Sequence, residues 1–549
     1  MSAQWKEKSA AQAPGESGTL RLRRLAKDSG ASGMSPRRVA REAKIRRNRP
    51  SMFKPRTSYL DLTQVFTPDN TGRGWYVLFW MAMICYVVRQ VVINFTQTGY
   101  PLRNAWGIRL SEHVVELMLA DLAVVAYTFL ALAWQKLIVH GVCSADSMAA
   151  YVVQHILQGL LLGGVVIGLA YADWFWVQTG VLLLHTLVLL MKMHSYISSN
   201  RELAIKHARL QELAAEHRDE LASSAPDLRA QLGAPSSDDE ASVASRRPAS
   251  LSTMQRPAGS LPSTSATSLS PPESDSDQSP PASVASTHKS AADAVPDWQE
   301  EMTDLEEDLT AGDVVYPGNV TLSNFIDYLF VPALVYEIYY PRITKLRPAY
   351  LAEKICATFG VFALLHVTFE DYIIPIVEEL PRISIGMTIL ELITPVMISY
   401  LLVFYIIFEC ICNVFAELTR FADRNFYDDW WNSTTFDEFA RKWNKPVHHF
   451  LLRHIYHYSI DMYKFSRNHA TLLTFFLSSC LHELVMIVTV GRVRLYLFGL
   501  QMFQLPLIYI SRHPVVKNRP LLGNIFFWLS MICGPPMIAV LYCRDHFIS

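Results

Sequence analysis

Near the carboxyl end of the chain, His482 and Glu483 stand side by side inside an apolar run long enough to cross a membrane. An ionisable pair at that depth is costly to keep and reads as functional by default. His482 lies about twelve residues into the run, roughly 18 Å deep at 1.5 Å rise per residue. A neutral imidazole there can take a proton from a hydroxyl group. Ser478 lies one turn earlier on the same helical face, whereas Glu483 points about 100° away and is not automatically its partner. The sequence His482-Glu483-Leu484-Val485-Met486 lacks the second histidine of the zinc motif HExxH, which rejects a zinc protease. The bland alternative for His482 is a core histidine joining two helices by a hydrogen bond. Upstream, the aromatic and acidic run Phe426-Tyr427-Asp428-Asp429-Trp430-Trp431-Asn432 leads into Arg441-Lys442-Trp443-Asn444-Lys445-Pro446-Val447-His448. Next to a buried reactive group, this polar stretch is the natural way in for a substrate. Taken singly, its parts are equally an interfacial turn with Trp at headgroup level and, at Asn444, a helix cap ahead of Pro446.

The remaining sequence must hold these residues in a bilayer. Of 549 residues, 51% are hydrophobic and 18% charged, and the net charge is -1. That balance offers no argument for a nucleic-acid partner or an acidic substrate. The eight Cys form no CxxC pair; Cys85, Cys356, Cys410, Cys412 and Cys533 lie in apolar segments and read as small buried thiols, with neither a disulfide framework nor a metal site. The first residues show no short apolar run with a cleavage site, which argues against a cleaved signal peptide. Residues 1–72 are polar, with thirteen Lys/Arg against two acids between Arg21 and Arg56, and predict a largely disordered basic tail on the cytosolic side. A helical span needs about 20 apolar residues. Such runs occur at 74–95, 114–135, 149–171, 174–195, 350–372, 388–416, 470–490, 495–511 and 521–543. Nine crossings put the amino terminus and the 417–468 stretch on the cytosolic side and the carboxyl terminus opposite, with Arg492 and Arg494 against the basic-residue rule. Residues 198–221 read as a surface helix, and 222–299, rich in Ser and Pro, as a disordered insertion closed by the acidic patch Glu300 to Asp308. Asn324 to Tyr340 reads as a helix lying in the interface plane. The chain therefore divides into 1–72, the spans of 73–197, the insertion 198–318, and the carboxyl-terminal bundle 319–549 with the reactive motifs.

Together the motifs resemble a known family. FYDDWWN at 426–432 resembles the FYxDWWN signature of the sterol O-acyltransferase and diacylglycerol acyltransferase branch of the membrane-bound O-acyltransferases, and Phe426, Tyr427, Asp429, Trp430, Trp431 and Asn432 carry it. WNKPVHHF at 443–450 and HEL at 482–484 match that branch in order and spacing, as does Lys192-Met193-His194-Ser195-Tyr196. FLLRHIYHYSI at 450–460 and ATLLTFFLSSCLHELVM at 470–486 are similar to the fungal sterol-esterifying enzymes. The resemblance implies an all-α polytopic membrane fold of about nine helices around an intramembrane reaction chamber. It implies transfer of a fatty acyl group from acyl-CoA to the 3-hydroxyl of a membrane sterol, giving steryl esters for storage, in the endoplasmic reticulum membrane and in a homodimer. It makes His482 the catalytic histidine and Asn444 its partner, with Arg441, His448, Tyr456, Ser478 and Arg467 on acyl-CoA. Glu438 stands where the family has an Asn on CoA. Acyl-CoA is a substrate, and no cofactor or metal is implied. Three readings stay open beside it: diacylglycerol as the acceptor, a transporter using His482 and Glu483 as a proton relay, and a non-catalytic membrane scaffold whose tail and insertion bind partners.

Overall fold

The computed structural model describes residues 52–61, 73–103, 105–218, 297–312, 314–517 and 519–547. The chain divides into two units, one of Met1–Ala204 with Ala311–Ser549 and one of Ile205–Thr310. The first unit holds the helices α1 (Arg73–Thr98), α2 (Val114–Val139) and α3 (Met148–Tyr171), and the part up to Ala204 of α4 (Trp176–Glu216). The fourth span and the surface helix expected after it are one 41-residue helix. No Gly or Pro falls between Ser195 and Glu216 to interrupt it. In the second unit, α5 (Asp297–Leu309) is the acidic patch. It pairs with the basic end of α4 through Lys206–Asp308 (3.2 Å) and Arg209–Glu301 (3.1 Å). Most of the Ser/Pro-rich insertion, 219–296, lies outside the described residues.

Back in the first unit, α6 (Leu322–Phe330) corrects the expected interfacial helix over 324–340. It ends where Val331 turns extended ahead of Pro332, as residues before proline do. The irregular backbone beyond is interior, with Val331 and Val335 at 0% exposure. Carbonyls there have no helical partner. The buried Lys192 ammonium supplies one, donating to the carbonyls of Tyr328, Val331 and Ala333 at 2.8–2.9 Å.

The helices α7 (Pro348–Glu378) and α8 (Ile385–Leu418) follow, each with a π turn, at Phe369–Ile373 and Tyr405–Ile411. Then come α9 (Phe436–Lys442) and α10, which runs from Lys445–Leu451 through a π turn at Leu452–His457 into Tyr458–Tyr463. The last helices are α11 (Arg467–Val490), α12 (Tyr496–Ser511) and α13 (Pro520–Phe547). Among the described residues, eight helices are long and apolar enough to cross a membrane. The ninth expected span, α12, has only 16 residues. That is about 24 Å, short of a hydrocarbon core of roughly 30 Å.

Contacts between helix ends tie the bundle at two rims. On one rim, Arg512 pairs with Asp437 and the Trp528 indole donates to the Trp431 carbonyl. On the other rim, Gln178 donates to the Arg109 and Glu112 carbonyls and Arg544 to those of Leu380 and Ile383. Arg494 pairs with Asp545 at 2.8 Å, and Arg492 donates to the Asp545 carbonyl. The two arginines that broke the basic-residue rule are thus met locally.

Within the tail expected to be largely disordered over 1–72, residues 52–61 are seated on the bundle. The Arg56 guanidinium clasps Asp423 at 2.9 and 2.6 Å, and the Lys54 N–H donates to the same carboxylate. Arg56 N–H donates to the Ala422 carbonyl while Arg424 N–H donates to that of Arg56. The Phe53 ring lies on Phe421, and Tyr59 on Trp431. The rest of the tail, 1–51 and 62–72, lies outside the described residues.

The strap ends on a polar node under the π turn of α8. Glu409, at 0% exposure, accepts from Lys354 of α7 (2.8 Å), from the Ser58 hydroxyl and from the Tyr427 hydroxyl (2.9 Å). Breaking a buried ion pair from one side leaves an uncompensated charge and costs about 3–5 kcal/mol. Glu409→Ala, which leaves the buried Lys354 ammonium to the partly exposed Glu353 carboxylate at 3.3 Å, is therefore expected to lower the thermal midpoint of the detergent-purified protein. Glu409→Ala with Lys354→Met should recover much of the loss. An unchanged midpoint in the single variant contradicts this assignment.

Candidate active site

The aromatic residues of the run 426–432 form a buried brace, with Asn432 exposed at its end. Phe426, Tyr427 and Trp430 are each at most 2% exposed. Trp430 packs edge-on against Phe404 and Trp443, with ring centres 5.3 and 4.7 Å away. The Trp431 carbonyl takes Asn524 and Trp528 of α13, both at 3.0 Å. Gly523 permits this approach, because a Cβ there would stand 2.7 Å from the Thr434 carbonyl oxygen. The acids that made the run look like a solvated turn are paired, Asp428 with Lys445 and Asp429 with Lys442, and Asn432 donates to Asp429. Aromatic bulk decides the burial, and the nearby lysines make it tolerable for the carboxylates.

The brace frames Asn444. The Asp428 N–H donates to the Lys442 carbonyl and the Lys445 N–H to that of Phe426, so backbone bonds hold both sides of the residue. Asn444 is the N-cap of α10, its Oδ1 accepting the Val447 N–H at 3.2 Å. The cap expected ahead of Pro446 is present, and it engages the amide oxygen while the NH2 group takes no part in it.

The N-cap Ser466 opens α11 by accepting the His469 N–H, and Gly491 closes it at φ 76°. Between them, His482 is exposed on the helix surface. Its Nδ1 lies 2.7 Å from the Ser478 carbonyl. A carbonyl only accepts, so Nδ1 carries the hydrogen and Nε2 keeps its lone pair. The ring is not sealed by side-chain packing. Glu483, one residue on, is 2% exposed. Its oxygens accept from the Leu495 and Phe498 N–H groups (2.8 and 2.9 Å) and from the Tyr542 hydroxyl (2.9 and 3.0 Å). A carboxylate committed to these donors is not held by His482, which weighs against the proton-relay reading.

The other expected residues divide between two places. Arg441 is exposed on α9 and pairs with Asp437 (2.8 Å), which also holds Arg512 (3.0 Å). Burial works to raise the Asp437 pKa, but the Arg512 and Arg441 guanidiniums outweigh it and hold the carboxyl down at about 2. Glu438 accepts from Lys442 (2.7 Å) and the Thr434 N–H (3.0 Å), so its charge is engaged within the protein. His448, half-buried on α10, has its pKa lowered by burial and then by Arg441 and Lys445, which keeps it neutral. Tyr456 lies in the π turn of α10, which packs along α11, the helix carrying Ser478 and His482. Arg467 is exposed at the first residue of α11. An apolar groove formed by Phe465, His469, Leu472, Leu473 and Phe476 runs along the first turns of the same helix.

Sequence reasoning missed a polar seam where α3, α4 and α10 meet. Gln154 donates to Ser198 (3.2 Å), Ser195 bonds His454 (2.8 Å), and the Tyr151 and Tyr458 hydroxyls meet at 3.0 Å. Ser195 also accepts the Tyr336 N–H at 2.8 Å, so its hydroxyl joins the irregular segment after α6 to His454. Burial, then His194 and Arg453, push the His454 pKa down to about 2. The signal was present as helical spacing, Tyr151-Gln154-Gln158 on α3 and His194-Ser198-Arg201 on α4, within otherwise apolar runs. Among the described residues no group of three or more His, Cys, Asp or Glu is placed to hold a metal ion.

A bundle of long apolar helices, eight of them long enough to cross a membrane among the described residues, defines a polytopic membrane protein. The chain belongs to the membrane-bound O-acyltransferase family, whose sequence model matches residues 168–544. It is 32% identical over 504 residues to the probable sterol O-acyltransferase 1 of Schizosaccharomyces pombe, covering 89% of this chain and 85% of that one. It is 33% identical over 485 residues to the probable sterol O-acyltransferase 2 of the same yeast, covering 85% and 86%. Diacylglycerol O-acyltransferase 1 of Dictyostelium discoideum is 37% identical over 242 residues, 43% of this chain and 39% of that one.

Proposed function

We propose that this protein is a sterol O-acyltransferase, moving a long-chain acyl group from acyl-CoA to the 3-hydroxyl of a membrane sterol. The observation that carries the reading is the His482 ring, tethered through Nδ1–H to Ser478 with its Nε2 lone pair turned outward. Nε2 takes the hydroxyl proton as the sterol oxygen attacks the thioester carbonyl. The C–S bond then breaks, and the departing CoA sulfur recovers that proton from the imidazolium as CoA-SH. Acid and base steps thus use one residue, and atoms and charge balance. The Asn444 NH2 group, which its cap does not use, donates to the thioester oxygen as negative charge grows there.

CoA is a polyanion and comes from the aqueous rim, where Arg441 and Arg467 are exposed and His448 and Tyr456 line α10. Its fatty chain suits the apolar groove along α11, and Ser478 sits one turn from His482 on the path between. The sterol arrives laterally from the bilayer. The product steryl ester has no headgroup and serves storage. We further propose an endoplasmic reticulum location, a cytosolic amino terminus and a homodimer. Acyl-CoA and sterol are the only reactants this chemistry needs.

Diacylglycerol as acceptor is the second reading, favoured by the Dictyostelium relative. Purified protein in lipid vesicles, given labelled oleoyl-CoA with ergosterol, cholesterol or diacylglycerol, separates the two. Label is expected in steryl ester, with little in triacylglycerol. Label in triacylglycerol alone sinks the sterol reading.

A further inference from the structure

Glu483 presents a question the reaction does not answer: what a carboxylate does inside the bundle, next to the histidine yet turned away from it. The answer lies at the start of α12. Leu495, its N-cap, has a left-handed backbone (φ 61°) and a side chain that cannot accept a hydrogen bond. The first N–H groups of a helix need acceptors. In an ordinary capping box the N-cap side chain accepts the N–H of the third helical residue, and that residue's side chain accepts the N-cap N–H. Here the third residue is Phe498, equally unable to accept. The single carboxylate of Glu483 takes both roles from the preceding helix, holding the Leu495 N–H at 2.8 Å and the Phe498 N–H at 2.9 Å. The Tyr542 hydroxyl of α13 completes the cap, accepting the Leu497 N–H at 3.3 Å and donating to Glu483. The negative charge also sits at the positive end of the α12 dipole.

We propose that Glu483 is a positioning residue for acyl transfer: its carboxylate caps α12 from α11, anchors Tyr542 of α13, and so fixes the rotation of α11 that sets the direction of His482. Neighbouring residues on a helix are about 100° apart, so a face locked at Glu483 dictates the direction of the imidazole. This rests on the reading of His482 as the base.

The test uses the full-length protein in lipid vesicles, with Glu483→Gln and Tyr542→Phe beside the parent. Gln is isosteric but offers one oxygen where the cap uses two. Turnover is measured per folded molecule, against acyl-CoA concentration and pH, and amide hydrogen exchange is followed at Leu495 and Phe498. Expected for E483Q is a fall in kcat of roughly ten- to a hundredfold, as for a displaced catalytic group. KM for oleoyl-CoA and the acid limb of the pH profile stay in place, and exchange at the two amides quickens. Y542F moves the same way by less. Normal kcat in E483Q, a loss carried by KM, or slow exchange at both amides overturns the proposal. A displaced acid limb with kcat restored at higher pH also overturns it, in favour of direct proton transfer by Glu483. His482→Ala runs alongside: ester formation at the parent rate there removes the base reading, while amide exchange still reports on the cap.

Discussion

Replacing His482 by alanine is expected to abolish ester formation while leaving the protein folded. General-base catalysis is typically worth about 10²–10⁴-fold. Among the described residues, the hydrogen-bond partner of His482 is a backbone carbonyl, which cannot inherit the proton. The structural cost is small for the same reason. The ring is exposed, and the Ser478 carbonyl remains within a helix that ends at Val490. The check is steryl ester formed per mole of purified H482A, beside its thermal midpoint and elution volume. Turnover near the parent value in a folded sample rules out the imidazole as base.

Asn444→Asp is the second variant with a large expected effect, and it separates two jobs that one side chain performs. Asp is as good an N-cap as Asn, so the bond from the Val447 N–H survives. What disappears is the NH2 donor. Loss of one oxyanion donor costs about 10²–10³-fold in turnover, and an added negative charge near the thioester oxygen cannot lessen it. The expected result is a protein with parental melting behaviour and kcat down by about that factor. Asn444→Ala should lose the same activity and in addition about 1 kcal/mol of stability with the cap. Parental turnover in N444D identifies Asn444 as a cap alone. A rise confined to KM for acyl-CoA makes it a binding residue.

Length and apolarity were enough to read the spans, because a helix in lipid must be long and greasy whatever packs beside it. What the sequence misled on was polarity seen without its partner. Asp428 and Asp429 looked solvated because Lys445 and Lys442 lie 13 or more positions away along the chain, and a one-dimensional reading has no means of pairing them. Arg492 and Arg494 looked misplaced until Asp545 met them from the far end of α13. Asn324 to Tyr340 had the aromatic content of an interfacial helix, but Pro332 ended the helix and Lys192 made an irregular interior path possible. The chemistry of the site fared differently. His482 and Asn444 stood out as candidates from motif order, whereas the hydrogen-bond partners of Glu483 are amides at 495 and 498 that no local pattern announces.

The strap at 52–61 sets an order of events during biosynthesis. Arg56 and Asp423 are 367 residues apart in the chain, and Ser58 and Glu409 are 351 apart. A ribosome releases the first of each pair long before the second exists. The amino-terminal segment must therefore wait at the membrane surface, unseated, until α8 has been inserted and the loop after it has emerged. The oldest part of the polypeptide is among the last to be fastened, and the closing of that clasp marks a bundle whose first and second halves have met.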